Sequence, residues 1–186
     1  MSRVCYDGCM KLYFARHGQT PSNSGADSRQ RATTTDEPLT DLGIAQALEL
    51  AEALKDVHFD AIISSQLKRA ISTAEIINEY HNLDIEIIED LQEREAPAYV
   101  DIDTWNDLFD FDKVLSLPGT EPLPDFFDRV YSVLDELKVK YADKTILVVS
   151  HGGVHHALYA YANNLPLKGN IRISRLKNCE YHIYEL

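Results

Sequence analysis

Hydrophobic residues along this chain come in two arrangements that take turns: short solid runs, and longer stripes with a period near 3.6. That succession predicts buried strands alternating with amphipathic helices. Residues 11–15 and 60–64 are runs of the first kind, and 145–149 (Thr-Ile-Leu-Val-Val) is the clearest of them. Residues 85–88 form a further strand candidate, and 179–184 alternates as a final edge strand would. Helices fill the intervals. Thr40 suits the cap of one whose Ile44, Leu48, Ala51 and Leu54 share a face. Residues 68–80 make the next. Phe127, Val130, Leu134, Leu137 and Tyr141 mark one side of a long helix, and about 153–162 forms the last. The expected fold is a three-layer α/β/α sandwich with a mainly parallel central sheet.

Two stretches stand outside this rhythm. Residues 1–9 carry no periodicity and precede a second methionine, Met10, so they read as an extension outside the fold. Residues 96–123 are rich in Asp, Pro and aromatics, with a small apolar cluster at Trp105, Leu108 and Phe109. They read as a loop-and-helix excursion over the sheet, leaving residues 10–186 as a single domain, which suits their number.

Composition narrows the class of partner. Lys and Arg number 18 against 30 for Asp and Glu, a formal net charge of −12. Such a chain repels nucleic acid and anionic membrane unless positive charge is concentrated locally, and its basic residues are scattered. An anionic substrate therefore requires a few basic side chains to converge in a cleft. The three cysteines (Cys5, Cys9 and Cys179) are no disulfide framework, and no apolar run reaches membrane-spanning length. The expectation is a cytoplasmic protein of reducing surroundings.

In a parallel α/β sheet, ligands bind beyond the carboxyl ends of the strands. The first strand runs straight into Arg16-His17-Gly18, and the strongest strand ends in Ser150-His151-Gly152-Gly153. Glycine after each histidine is expected to let the backbone turn sharply and a ligand come close. The strand at 60–64 leads to Arg69 in the first turn of a helix, and the strand at 85–88 leads to Glu93-Arg94-Glu95. Four strand ends thus bring two His, two Arg and at least one carboxylate to one edge. That set suits phosphoryl transfer, where arginines neutralise the equatorial oxygens, an imidazole attacks phosphorus, and a carboxyl group handles the proton. His151 and His155 are also four apart, a spacing that can hold zinc, but the intervening Gly-Gly-Val lacks a metalloprotease glutamate and His151 precedes the helix. No metal or other cofactor is expected.

The order of these segments resembles the histidine phosphatase superfamily, the phosphoglycerate-mutase-like proteins. The matching segments are Phe14-Ala15-Arg16-His17-Gly18-Gln19-Thr20 with Asn23, Leu39-Thr40-Asp41-Leu42-Gly43 with Gln46-Ala47, and Ser64-Ser65-Gln66-Leu67-Lys68-Arg69-Ala70 with Thr73-Ala74. Leu91-Gln92-Glu93, Pro118-Gly119-Thr120-Glu121 with Arg129-Val130, and Val148-Val149-Ser150-His151-Gly152-Gly153 follow in order. The resemblance implies that His17 is the phosphate-accepting nucleophile and Glu93 the acid and base. It implies that Arg16, Arg69 and His151 surround the phosphoryl group, with Asn23 as a further substrate-binding residue. The chain departs from the family pattern at Glu95-Ala96-Pro97-Ala98, where a glycine usually follows the acid. It departs again at the shortened turn Pro118-Gly119-Thr120, and at His156, where an arginine of the last helix is common. His156 and the remaining histidines are expected on the surface or in packing.

The implied activity is metal-independent hydrolysis of small phosphomonoesters, a small phosphorylated metabolite being the partner. Mutases of this kind resemble longer chains with larger insertions. The short excursion after Glu93 favours access of water and leaves phosphoglycerate mutase as the alternative. From another class, a catalytically silent phospho-ligand-binding protein would keep the fold but lack the full set of reactive residues.

Overall fold

The computed structural model of the protein describes residues 8–24, 30–31, 36–97, 100–113, 117–172 and 174–186. The chain forms β1 (Lys11–Arg16), β2 (Gln30–Arg31), α1 (Asp41–Leu54), β3 (Ala61–Ser64), α2 (Lys68–Asn78) and β4 (Ile85–Ile87). It continues through β5 (Val100–Asp101), α3 (Ile102–Asp107), α4 (Leu123–Lys140), β6 (Thr145–Ser150), α5 (Gly152–Ala162) and β7 (Tyr181–Glu185). Five strands pair in the order β4-β3-β6-β1-β7, all parallel except the edge strand β7, which runs antiparallel to β1.

Alternation along the strands sorts the core into two layers. Leu12 and Phe14 of β1, Ile63 of β3, and Ile146 and Val148 of β6 pack with the buried stripes of α4 and α5. Their neighbours Tyr13, Ala15, Ile62, Leu147 and Val149 pack on the other side with Leu50, Ala51 and Leu54 of α1 and with Ala70, Ala74 and Ile77 of α2. Consecutive strand side chains point to opposite faces, so central strands buried on both faces must be apolar throughout, as the solid runs predicted. The expected sandwich is the observed one. Among the described residues no helix is long and apolar enough to cross a membrane.

Three expectations need correction or completion. Ile44 and Leu48 do not face the core, being 42% and 51% exposed; Ala51 and Leu54 of the expected face are buried, together with Gly43, Ala47 and Leu50. The buried stripe begins with Gly43 and Ala47 because the first turn of α1 lies directly on the loop after β1. A Cβ on Gly18 would overlap the carbonyl oxygen of Gly43, and one on Gly43 would overlap the backbone of Gln19. Gly18 thus serves contact with the helix rather than approach of a ligand. Second, β2 and β5 pair antiparallel, Gln30 opposite Asp101 and Arg31 opposite Val100, a bridge between two loops that no periodicity announced. Third, residues 1–7 lie outside the described residues. Met10 is fully buried and exchanges both backbone hydrogen bonds with Leu186 at 3.0 Å.

Gly43→Ala tests that contact. In an open helix the change gains about 1 kcal/mol from propensity. Here the new methyl meets backbone, which cannot rotate away, so overpacking of about 1–3 kcal/mol outweighs the gain. The variant is expected to unfold at lower denaturant than the parent; a higher midpoint would show that the loop after β1 yields.

Candidate active site

The carboxyl ends of β1, β3, β4 and β6 open on one edge of the sheet, and residues leaving those ends line a cleft of about 80 Å³. The turn after β1 is held at nearly every backbone group. His17 N–H donates to Ser150 O (3.0 Å), extending the ladder with β6, and Gly18 N–H donates to the Thr73 hydroxyl (3.1 Å). Gln19 N–H donates to Gln46 Oε1 (3.0 Å), Thr40 N–H donates to Gln19 O (2.9 Å), and Asn178 Nδ2 donates to His17 O (3.0 Å). The nucleophile candidate therefore sits on a turn fixed by α1, α2, β6 and the C-terminal segment.

His17 is 4% exposed, at the floor of the cleft. Its Nδ1 lies 2.7 Å from Gly18 O, and a carbonyl can only accept, so Nδ1 carries the proton and Nε2 keeps its lone pair. Burial, with the charges of Arg16 and Arg69, holds the ring well below the usual imidazole range and thus neutral. Arg16 donates through one terminal nitrogen to Leu176 O (2.9 Å). Arg69 is 5% exposed in the first turn of α2, and burial lowers its pKa. A buried cation at a helix N-terminus opposes the helix dipole, a placement that makes sense where an anion is to be bound.

His151 is fully buried behind His17, with ring centroids 5.1 Å apart, and does not itself line the cleft. Its Nε2 meets the Ser65 hydroxyl at 2.7 Å. Ser65 Oγ also accepts from Leu67 N–H (3.3 Å), which ties His151 to the start of α2. Among the described residues the buried Nδ1 of His151 has no partner.

Glu93 lines the cleft, whereas Glu95 is exposed and does not. The two oxygens of Glu93 accept from Gly153 N–H and Arg94 N–H, each at 3.0 Å, so the carboxylate caps α5. A Cβ on Gly153 would overlap Glu93 Oε1, which explains the second glycine after His151. Behind it, Arg129 spans the segment that carries Glu93. It pairs with both oxygens of Glu121 (2.6 and 2.9 Å) and donates to the carbonyls of Asp90, Gln92 and Glu93. Asn23 also lines the cleft, its Oδ1 accepting from Thr20 N–H (3.0 Å).

All the residues expected at the site converge, with His151 one layer beneath. The sequence reading missed His156, Arg172 and Arg175, which line the cleft with Phe109 and Leu176. His156 is thus no mere packing residue. Its place on α5, one turn after Gly152, and the arginine common at that position in the family pattern were the available signals. Arg172 and Arg175 lie outside the regular elements, where no local pattern marks them. Among the described residues no three His, Cys, Asp or Glu side chains stand close enough together to hold a metal ion.

Burial also holds His155 down to about 4 and His156 to about 3. With His17 and His151 that makes four imidazoles that charge in the unfolded chain near 6.5 but not in the native one. Their stabilising effect is complete above pH 6.5 and is lost as pH falls towards the folded values, each site costing up to about 1.4 kcal/mol per pH unit. Urea midpoints are expected to drop steeply between pH 7 and 5, by several kcal/mol in stability. A flat profile would mean that these rings charge in the native state.

Comparison with known proteins agrees with this geometry. The family model of the histidine phosphatase superfamily (branch 1) matches residues 12–186. A Bacillus subtilis protein named uncharacterized phosphatase PhoE is 38% identical over 151 residues, covering 78% of this chain and 73% of that one. A Hydrogenobacter thermophilus protein named putative phosphoserine phosphatase 2 is 30% identical over 185 residues, covering 93% and 89%. The solved structure of a mycobacterial glucosyl-3-phosphoglycerate phosphatase superimposes with a TM-score of 0.80 at 25% identity, over 94% of this chain and 89% of that one. With its two histidines, paired arginines and glutamate at one sheet edge, this chain belongs to the histidine phosphatase superfamily and is a phosphatase.

Proposed function

We propose that this phosphatase hydrolyses small phosphomonoesters in two steps through a phosphohistidine on His17, using no group beyond its own side chains. The observation that carries the reading is the hydrogen bond from His17 Nδ1 to Gly18 O in a buried, doubly cationic floor, because it presents a neutral Nε2 to the cleft. In the first step Nε2 bonds to phosphorus and the P–O bond to the leaving group breaks. Glu93, in its acid form, gives the departing oxygen its proton. Arg16 and Arg69 neutralise the equatorial oxygens as charge spreads over them, and the ring of His151 supports the floor beneath. In the second step Glu93, now a carboxylate, takes a proton from water. The oxygen of that water bonds to phosphorus, the N–P bond breaks, and His17 is returned neutral. Arg129 keeps Glu93 in register throughout.

Water rather than a second alcohol is the acceptor in this reading, supported by the short excursion over the site and the phosphatase names of the three similar proteins above, although other relatives are named probable phosphoglycerate mutase. The small cleft suits a metabolite better than a phosphorylated protein loop. Rapid quench with labelled aryl phosphate is expected to trap acid-labile phosphate on the chain, and turnover is expected to survive a strong chelator. Label that resists acid, or activity lost to chelator and restored by metal, overturns the mechanism. Label passed to added phosphoglycerate in preference to water makes the protein a mutase.

A further inference from the structure

The cleft carries more positive charge than one phosphoryl group uses. Arg16, Arg69, Arg172 and Arg175 line it against a single carboxylate, Glu93, among the described residues, in a chain of net charge −12. The charges of Arg16 and Arg69 bear on His17 at the floor. Those of Arg172 and Arg175 bear instead on His156. Arg175 is exposed and Arg172 half-buried, so this second pair stands nearer the mouth. A substrate whose phosphorus lies against His17 therefore sends its leaving group outward between the floor and these guanidinium groups.

The segment that bears them is built into the fold. Ile171 and Leu176, on either side, are each 4% exposed. Ile171 N–H donates to Phe109 O (3.0 Å), Arg172 N–H to Asn170 Oδ1 (3.0 Å), and Leu176 O accepts from Arg16. Facing the same space, His156 is 4% exposed and its Nδ1 has no hydrogen-bond partner among the described residues.

We propose that Arg172, Arg175 and His156 form a second anion subsite, which selects phosphomonoesters whose leaving group itself carries an anion, a carboxylate or a second phosphate. A guanidinium fork takes two oxygens of either group, and His156 lines the same space. The inference rests on the phosphatase reading, since it takes the phosphoryl group to lie at His17.

Matched substrates test it. 3-Phosphoglycerate and glycerol 3-phosphate differ by a carboxylate, and fructose 1,6-bisphosphate and fructose 6-phosphate by a second phosphate. In at least one pair, kcat/KM of the intact protein is expected to favour the more anionic member by roughly tenfold to a hundredfold; which pair shows it identifies the anion. R172Q/R175Q is expected to bring that ratio to within about threefold of unity, and R172K/R175K to keep part of it, since charge survives but the fork does not. Partial unfolding lowers both members of a pair alike and leaves their ratio unmoved. Ratios within about threefold in both pairs, or a preference that outlasts R172Q/R175Q, overturn the subsite while hydrolysis of the neutral members upholds the phosphatase. Failure to turn over any of the four, or an aryl phosphate, overturns the hydrolytic reading instead.

Discussion

His17→Ala is expected to lower hydrolysis by roughly 10⁴-fold or more while the chain stays folded. The variant removes the atom that bonds to phosphorus, and no other ring can take its place. His151 is fully buried behind it, with Nε2 engaged by Ser65, and His156 stands on α5 beside Phe109. The structural cost is small by comparison. Gly18 O loses one hydrogen bond, about 1 kcal/mol. The backbone of the turn keeps its bonds to Ser150, Thr73, Gln46 and Asn178. Circular dichroism and a denaturant midpoint close to the parent's establish folding, and an assay sensitive to a 10⁵-fold loss reads the activity. Turnover within tenfold of the parent would remove His17 from the chemistry; a variant that unfolds would mean that the imidazole holds the turn.

Glu93→Gln is expected to lose roughly a hundredfold to ten-thousandfold on a sugar phosphate, and far less on an activated aryl phosphate. The difference is the argument. A poor alkoxide leaving group needs a proton as the P–O bond breaks, whereas a good phenoxide does not. Glutamine cannot supply that proton but still fits between Gly153 and Arg94, accepting from one of them. Glu95→Gln is expected to match the parent on both substrates, because Glu95 is exposed and offers its backbone carbonyl, not its side chain, to Glu121. If Glu95→Gln showed the leaving-group dependence, the acid would be Glu95. Equal losses on the two substrates in Glu93→Gln would leave Glu93 as a residue that only positions α5.

Much of this molecule is legible along the chain because its determinants are local. Solid apolar runs at β1, β3 and β6 are what a strand buried on both faces requires, and the two layers of core follow from their alternation. The His-Gly pairs at the ends of β1 and β6 and the Leu-x-Glu after β4 are likewise short-range, and their convergence follows once the sheet is parallel. Of Glu93 and Glu95, the order of motifs favoured the first, and the fold places that one in the cleft.

What only the tertiary structure decided involves segments far apart in sequence meeting at backbone distance. α1 buries the side of Gly43 and Ala47 rather than Ile44 and Leu48 because Gly43 lies on Gln19, a contact that no count of apolar spacing detects. The requirement for Gly18 comes from that same helix, not from a ligand. His151 ends beneath His17 rather than beside the cleft because Ser65, on another strand end, takes its Nε2. Arg129 supports Glu93 from a helix more than thirty residues later, and Arg172 and Arg175 reach the mouth from an irregular segment whose sequence has no period at all. Periodicity reports which face of an element is buried, since burial repeats with the backbone. The convergence of single charges on a common point repeats with nothing, and is set by how Ile171 docks that segment on Phe109 and Leu176 docks it against the end of β1.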